Sequence, residues 1–202
     1  MNDVRATHRR LFQVASQQGG HFTAAQALAC GYSRALVSYH AGTGAFVRVH
    51  RGVYRLRDYP SSPRGHVVAA WLAAGPEVAV VSHESALELH DLSDVIPDSI
   101  HLTLPRSRRW YRPPPGVTVH TTARPPGEDE IVRRLGMRVT DPARSILEAA
   151  EWGSEPGQIE KAVRDAVDRA MTTAVELREA SAARPARVRR LVERALQRRE
   201  ES

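Results

Sequence analysis

The sequence predicts an α+β protein: an N-terminal winged helix-turn-helix followed by a mixed α/β domain that ends in a helical C-terminal segment. Three observations predict it. Two short helix-forming stretches, residues 24–29 and 34–41, are separated only by Cys30-Gly31-Tyr32 and the capping Ser33, the length and glycine content of a helix-turn-helix turn. Residues 45–49 and 53–56 alternate in polarity around His50-Arg51-Gly52, the chemistry of a β-hairpin. No carboxylate occurs in residues 5–57, where the chain's overall acidic fraction would place about six.

Each element has a local reason. Residues 5–18 place Leu11, Phe12, Val14 and Ala15 at helical spacing and stop at Gly19-Gly20. Thr23 can cap the helix at 24–29, which Gly31 ends, and Ser33 can cap the next, which ends among Gly42 and Gly44. In the first hairpin strand Val47 and Val49 fall on one face and Arg48 and His50 on the other. Residues 59–65, with Pro60, Ser61, Ser62 and Pro63, read as a linker between a domain at 1–58 and another at 66–202. Beyond it the pattern predicts a helix at 66–74, a strand at 78–81 and a helix at 83–90 capped by Ser82. Strands at 99–104, 117–121 and 137–140 follow, then a helix from Asp141 to near Trp152. Helices at 158–170, 174–180 and 184–199 close the chain, and the strand order is left open.

Charge is more informative than composition. The formal net charge is +6. Residues 1–58 hold eight arginines against Asp3 and Asp58, while the basic and acidic residues of 59–202 cancel. A field of one sign on a small domain attracts a polyanion and steers its approach. All basic residues but Lys161 are arginine, which fits GC-rich bacterial coding. The lone Cys30 excludes a disulfide framework and a multi-cysteine zinc site. The opening MNDVRATHRR is polar and basic with no apolar segment behind it, so no secretory leader, no membrane span and a cytoplasmic location are expected.

In a helix-turn-helix the second helix enters the major groove with its N-terminal end. That end is Ser33-Arg34-Ala35, with Ser38 and Tyr39 one turn on. Arg34 can fork onto a guanine edge, and Ser33 and Ser38 can take phosphates or bases. Thr23 at the start of the preceding helix joins the candidate surface. Leu36 must pack inward with either His40 or Tyr39, and the pattern does not decide which. Arg48, His50, Arg51 and Arg55 on the wing are candidate phosphate or minor-groove contacts.

These residues carry a family resemblance. Phe22-Thr23, Gln26-Ala27, Gly31-Tyr32-Ser33-Arg34, Gly44 and Arg48-Val49-His50-Arg51-Gly52-Val53-Tyr54 resemble the N-terminal winged helix of AbiEi-family antitoxins of type IV toxin–antitoxin systems. Scattered similarity continues at Val81-Ser82-His83-Glu84-Ser85-Ala86-Leu87, Leu89-His90, Ile100-His101-Leu102-Thr103 and Thr140-Asp141-Pro142-Ala143-Arg144-Ser145. The resemblance implies a DNA-binding repressor of its own operon, acting on an operator in its own promoter. It also implies a nucleotidyltransferase-like toxin as functional partner, without need of a stable complex.

No catalytic residue, cofactor or metal site is expected. His83 and His90 lie seven apart rather than four, so the zinc-protease motif is absent, and both read as packing or helix-end residues. Walker, dinucleotide and GxSxG signatures are absent as well. Some relatives end in a restriction-endonuclease-like domain, but Lys161 directly follows Glu160 without Glu-x-Lys spacing. A nuclease-like enzyme targeted by a winged helix and a ligand-sensing regulator remain the alternatives. The loop Arg106, Arg108, Arg109, Trp110, Tyr111 and Arg112 combines charge with aromatics, which fits either a secondary DNA or partner contact or a solvated loop. Arg187, Arg190, Arg194 and Arg198 line one side of an amphipathic last helix, ordinarily a solvated face.

Overall fold

Helix α1 (Val4–Ser16) buries Thr7, Leu11 and Ala15 at helical spacing, and Gly19 and Gly20, both at positive φ, follow it. These are coordinates of a computed structural model, which describes residues 4–94 and 96–200. After strand β1 (His21–Thr23), Thr23 caps helix α2 (Ala24–Ala29). Its hydroxyl accepts the Gln26 amide at 3.1 Å while the Gln26 side chain accepts the Thr23 amide at 2.8 Å, a reciprocal capping box. Helix α3 (Arg34–Gly42) starts on Ser33, whose hydroxyl accepts the Leu36 amide at 3.1 Å. Strands β2 (Phe46–His50) and β3 (Val53–Leu56) complete the hairpin.

The wing has three strands in the antiparallel order β1-β3-β2. A three-residue strand carries no readable periodicity, so β1 becomes visible only through its pairing with β3. The β2–β3 register shifts between Arg48 and His50. That bulge at Val49 breaks the strict alternation expected for β2. The core beneath is aromatic. Phe22 meets Phe46 edge-on at 4.9 Å and stacks on Tyr54 at 5.9 Å, with Leu11, Ala27, Tyr32 and Val37 around them.

By internal contacts the chain divides into two units, residues 1–79 with 135–137, and residues 80–134 with 138–202. The first unit runs past the wing. Tyr59 packs against its core and donates its hydroxyl to the Ser16 carbonyl at 3.2 Å. Helix α4 (Gly65–Ala74) belongs to this unit and is apolar and buried along most of its length.

In the second unit, strands β4 (Val80–Val81), β5 (Ile100–Pro105), β6 (Val117–Thr122), β7 (Ile131–Arg134) and β8 (Met137–Thr140, in this unit from Arg138 on) form a mixed sheet ordered β6-β5-β4-β8-β7. Strands β5 and β6 are parallel although only residues 106–116 join them, close to the shortest length a crossover permits. Helix α5 (His83–Leu89) lies between β4 and β5 in the chain. Helices α6 (Pro142–Trp152), α7 (Pro156–Asp168), α8 (Ala174–Ser181) and α9 (Ala186–Glu200) follow the sheet. They share one core of Leu87, Ile146, Ile159, Leu177, Val192 and Leu196 with their neighbours. Asp141 caps α6 as expected, accepting the Arg144 amide at 2.9 Å. Ser82 does not cap α5 with its side chain. Its hydroxyl instead meets His83 Nδ1 at 2.9 Å and accepts the Thr103 hydroxyl at 2.8 Å.

Candidate nucleic-acid interface

The α2–α3 pair presents the second helix by its outer face. Val37 is buried and Leu36 is partly buried, whereas Ser33, Arg34, Ser38 and Tyr39 are exposed. The choice between Tyr39 and His40 is settled by Phe46. The His40 ring lies 4.9 Å from the Phe46 ring, and Tyr39 is 63% exposed. Arg34 is the first residue of α3, so its guanidinium leaves the end of the helix that a groove would admit. Ser33 spends its acceptor on the cap, which leaves its hydroxyl proton to donate to a phosphate.

The wing residues fall into two groups. Arg48 and Arg51 are exposed, and Arg51 precedes Gly52, whose φ of +74° makes the tight turn. His50 is half-buried. Arg55 is also half-buried and donates to the Tyr59 carbonyl at 2.8 Å. Thr23 is held in the α2 capping box. Arg55 and Thr23 therefore shape the surface at least as much as they line it.

The other basic features lie in the second unit. Arg106, Arg108, Arg109, Trp110 and Arg112 are all exposed on the β5–β6 connection. The Arg109 guanidinium sits 5.2 Å from the Trp110 ring centroid, and Trp110 is 80% exposed. Much of the arginine stripe of α9 is engaged within the unit. Arg187 donates to the Ala150 and Glu151 carbonyls, and Arg194 and Arg198 pair with Glu160. Lys161 pairs with Asp165 on its own helix.

The second unit also assembles a group that linear spacing conceals. The β5–β6 register pairs His101 with Thr118 and Thr103 with His120, which sets both histidines on one face of the sheet. His83, the first residue of α5, completes the cluster. Its ring stacks on His120 at 3.6 Å, and His101 Nδ1 lies 2.9 Å from His120 Nε2. Trp152 stands edge-on to His120 at 4.7 Å. One ring nitrogen of each histidine lies within 4.8 Å of the other two.

His83 has a φ of +53°, a conformation that costs energy outside glycine and is found preferentially at functional positions. Burial, reinforced by the neighbouring His120 and His101, pushes the His83 imidazole down to about 2. Burial and then His101 push His120 down to about 4, and burial lowers His101 against the pull of Glu84. Uncharged imidazoles are the result. His90, the residue seven positions from His83, takes no part in this cluster: it is buried and bonds the Thr140 carbonyl at 2.8 Å. Eighteen and nineteen residues separate the three clustered histidines, and only the sheet register reveals them. The one hint in the sequence is that His101 and His120 both stand in alternating strand patterns, among threonines.

Residues 9–57 match the family described as transcriptional regulator, AbiEi antitoxin. The match runs from α1 through the wing and bears out the resemblance over that stretch. A crystal structure of the RV2827C protein from Mycobacterium tuberculosis is similar in fold, with a TM-score of 0.57 and 16% identity. The alignment covers 95% of this chain and 76% of that one. A search of curated proteins gives no match. Among the described residues, no helix is long and apolar enough to cross a membrane.

Proposed function

We propose that this protein is a sequence-specific DNA-binding antitoxin that represses transcription of its own toxin–antitoxin operon. The observation that carries the proposal is the exposed N-terminal face of α3, with Arg34, Ser38 and Tyr39, in a stretch without carboxylates between residues 5 and 57. The family match over residues 9–57 supports it. In this reading Arg48 and Arg51 supply phosphate contacts that set affinity and register. Arg34 supplies base readout, since its planar fork spans guanine O6 and N7 in the major groove. The functional partner is a nucleotidyltransferase-like toxin, counteracted without a requirement for a stable complex.

Fluorescence anisotropy with the full chain tests the DNA step. A duplex from the protein's own promoter should bind at least about 10³-fold more tightly than a scrambled duplex at physiological salt. Equal affinity for the two duplexes would remove the repressor reading. Co-expression with the neighbouring toxin gene tests the second step, where relief of growth arrest is expected.

A further inference from the structure

We propose that His83, His101 and His120 form a binding site for a divalent late first-row transition metal, zinc(II) foremost, in the second unit. The ligand chemistry is uniform: three imidazoles, the donor type that suits zinc, copper, nickel and iron rather than magnesium or calcium. The nitrogens are near enough to share one ion, one from each ring lying within 4.8 Å of the other two. Small ring rotations would bring them to the roughly 3.3 Å spacing of a tetrahedral site. His101 Nδ1 and His120 Nε2 are 2.9 Å apart. Two nitrogens at about 2.0–2.1 Å from one ion have that separation when they subtend an angle near 90°.

The outer nitrogens of two rings are already engaged, which selects the inner ones. His83 Nδ1 faces the Ser82 hydroxyl at 2.9 Å, with Glu148 behind it at 3.9 Å. His101 Nε2 faces the Ser99 hydroxyl at 3.2 Å, with Glu84 at 3.7 Å. This leaves His83 Nε2 and His101 Nδ1 for the ion beside His120 Nε2. A hydrogen bond to the outer nitrogen fixes the tautomer and orients the ring; the Ser82 and Ser99 hydroxyls supply it here, each with a carboxylate standing farther out.

Glu148 supplies an independent observation. It is buried at 6% exposure; its Oε1 accepts from Arg144 Nε at 2.7 Å, and its Oε2 has no hydrogen-bond partner among the described residues. A cation bound to His83 would compensate that oxygen through the imidazole. The His83 and His120 rings, stacked at 3.6 Å, must turn so that each ring plane contains the ion. Three protein ligands leave a further position toward an open cavity of about 300 Å³, which Arg144, Arg184 and Trp152 also line. A water or a small anion fits that position, the pattern of an open zinc site.

The test uses tag-free full-length chain stripped with a chelator and titrated with zinc(II), then cobalt(II). We expect one equivalent per chain at micromolar affinity or tighter, a rise in melting temperature with zinc, and visible d–d bands with cobalt. His120→Phe keeps an aromatic ring in the stack but removes the donor, and should weaken binding by 100-fold or more. Glu148→Gln should weaken it by about 10-fold or more. If His120→Phe fails to fold, judged by circular dichroism, His101→Phe takes its place, and the cobalt spectrum of the parent protein stands without any variant. Absence of stoichiometric zinc binding, or full affinity in a folded His120→Phe or His101→Phe protein, would overturn the site. DNA binding measured on the same samples keeps this result separate from the repressor proposal.

Discussion

Tyr39 and His40 are neighbours in the chain whose rings meet edge-on at 5.5 Å, yet only one of them reaches the core: His40 packs 4.9 Å from Phe46, and Tyr39 is 63% exposed. Their substitutions should separate accordingly. His40→Ala removes a ring from the aromatic core and should cost roughly 1–2 kcal/mol of stability in urea melts. Tyr39→Ala should change stability by less than about 0.5 kcal/mol yet weaken DNA binding. A Tyr39→Ala protein that binds DNA like the parent would take Tyr39 out of the interface.

Arg34 and Arg51 are both exposed but occupy different parts of the unit, the start of α3 and the wing turn. Arg51→Ala should weaken all duplexes by similar factors and reduce the log–log salt slope by about one. Arg34→Ala should cost about 1–3 kcal/mol on the operator and much less on random DNA, with relaxed preference at one base pair. Equal proportional losses for both variants would make Arg34 another phosphate contact.

The winged helix was legible because its signals are local. Thr23, Ser33 and Asp141 cap helices by bonds to residues three positions on, which a linear sequence displays directly. Strand β1 was not legible, since three residues acquire strand character only by pairing with β3. Tyr39 against His40 could not be decided without the position of Phe46. The histidine cluster depended on the β5–β6 register, a long-range pairing across parallel strands that periodicity does not encode. Ser82 shows the same limit in reverse. Its position before a helix predicts a cap, but the neighbouring β5 offers it Thr103 instead.

Gly20 is a second local device of the first unit. Its φ is +83°, and a Cβ there would lie 2.5 Å from the Tyr59 ring. Its carbonyl also accepts the Leu56 amide at 2.9 Å, so the backbone cannot simply move away. Gly20→Ala should therefore destabilise by roughly 2–4 kcal/mol, combining backbone strain with overpacking. Gly42, where an added Cβ meets nothing within 4 Å, is the control. Gly42→Ala lies at a helix end without positive φ and should be close to neutral in the same chemical melts.

Stability should also depend on pH through His90. Its Nε2–H donates to the Thr140 carbonyl at 2.8 Å, while its Nδ1 is buried without a partner among the described residues. Burial lowers its pKa from the ordinary value. The Thr140 carbonyl and Asp91 oppose that shift, and Arg134 and Arg169 add to it. Protonation would place a charge and an unmatched N–H at Nδ1, and the unfolded chain accepts that proton more readily. The folded pKa lies below the unfolded one, so this contribution is complete above about pH 6.5 and is lost as pH falls below it. Each pH unit below that point should remove up to about 1.4 kcal/mol for this residue. His90→Gln retains a donor for the Thr140 carbonyl but cannot be protonated. Urea melts at pH 7.5 and 5.5 should then show a smaller acid-induced loss for His90→Gln than for the parent, even if the variant starts from lower stability. Parallel losses in the two proteins would assign the acid sensitivity to other groups and leave His90 a neutral packing residue throughout this range.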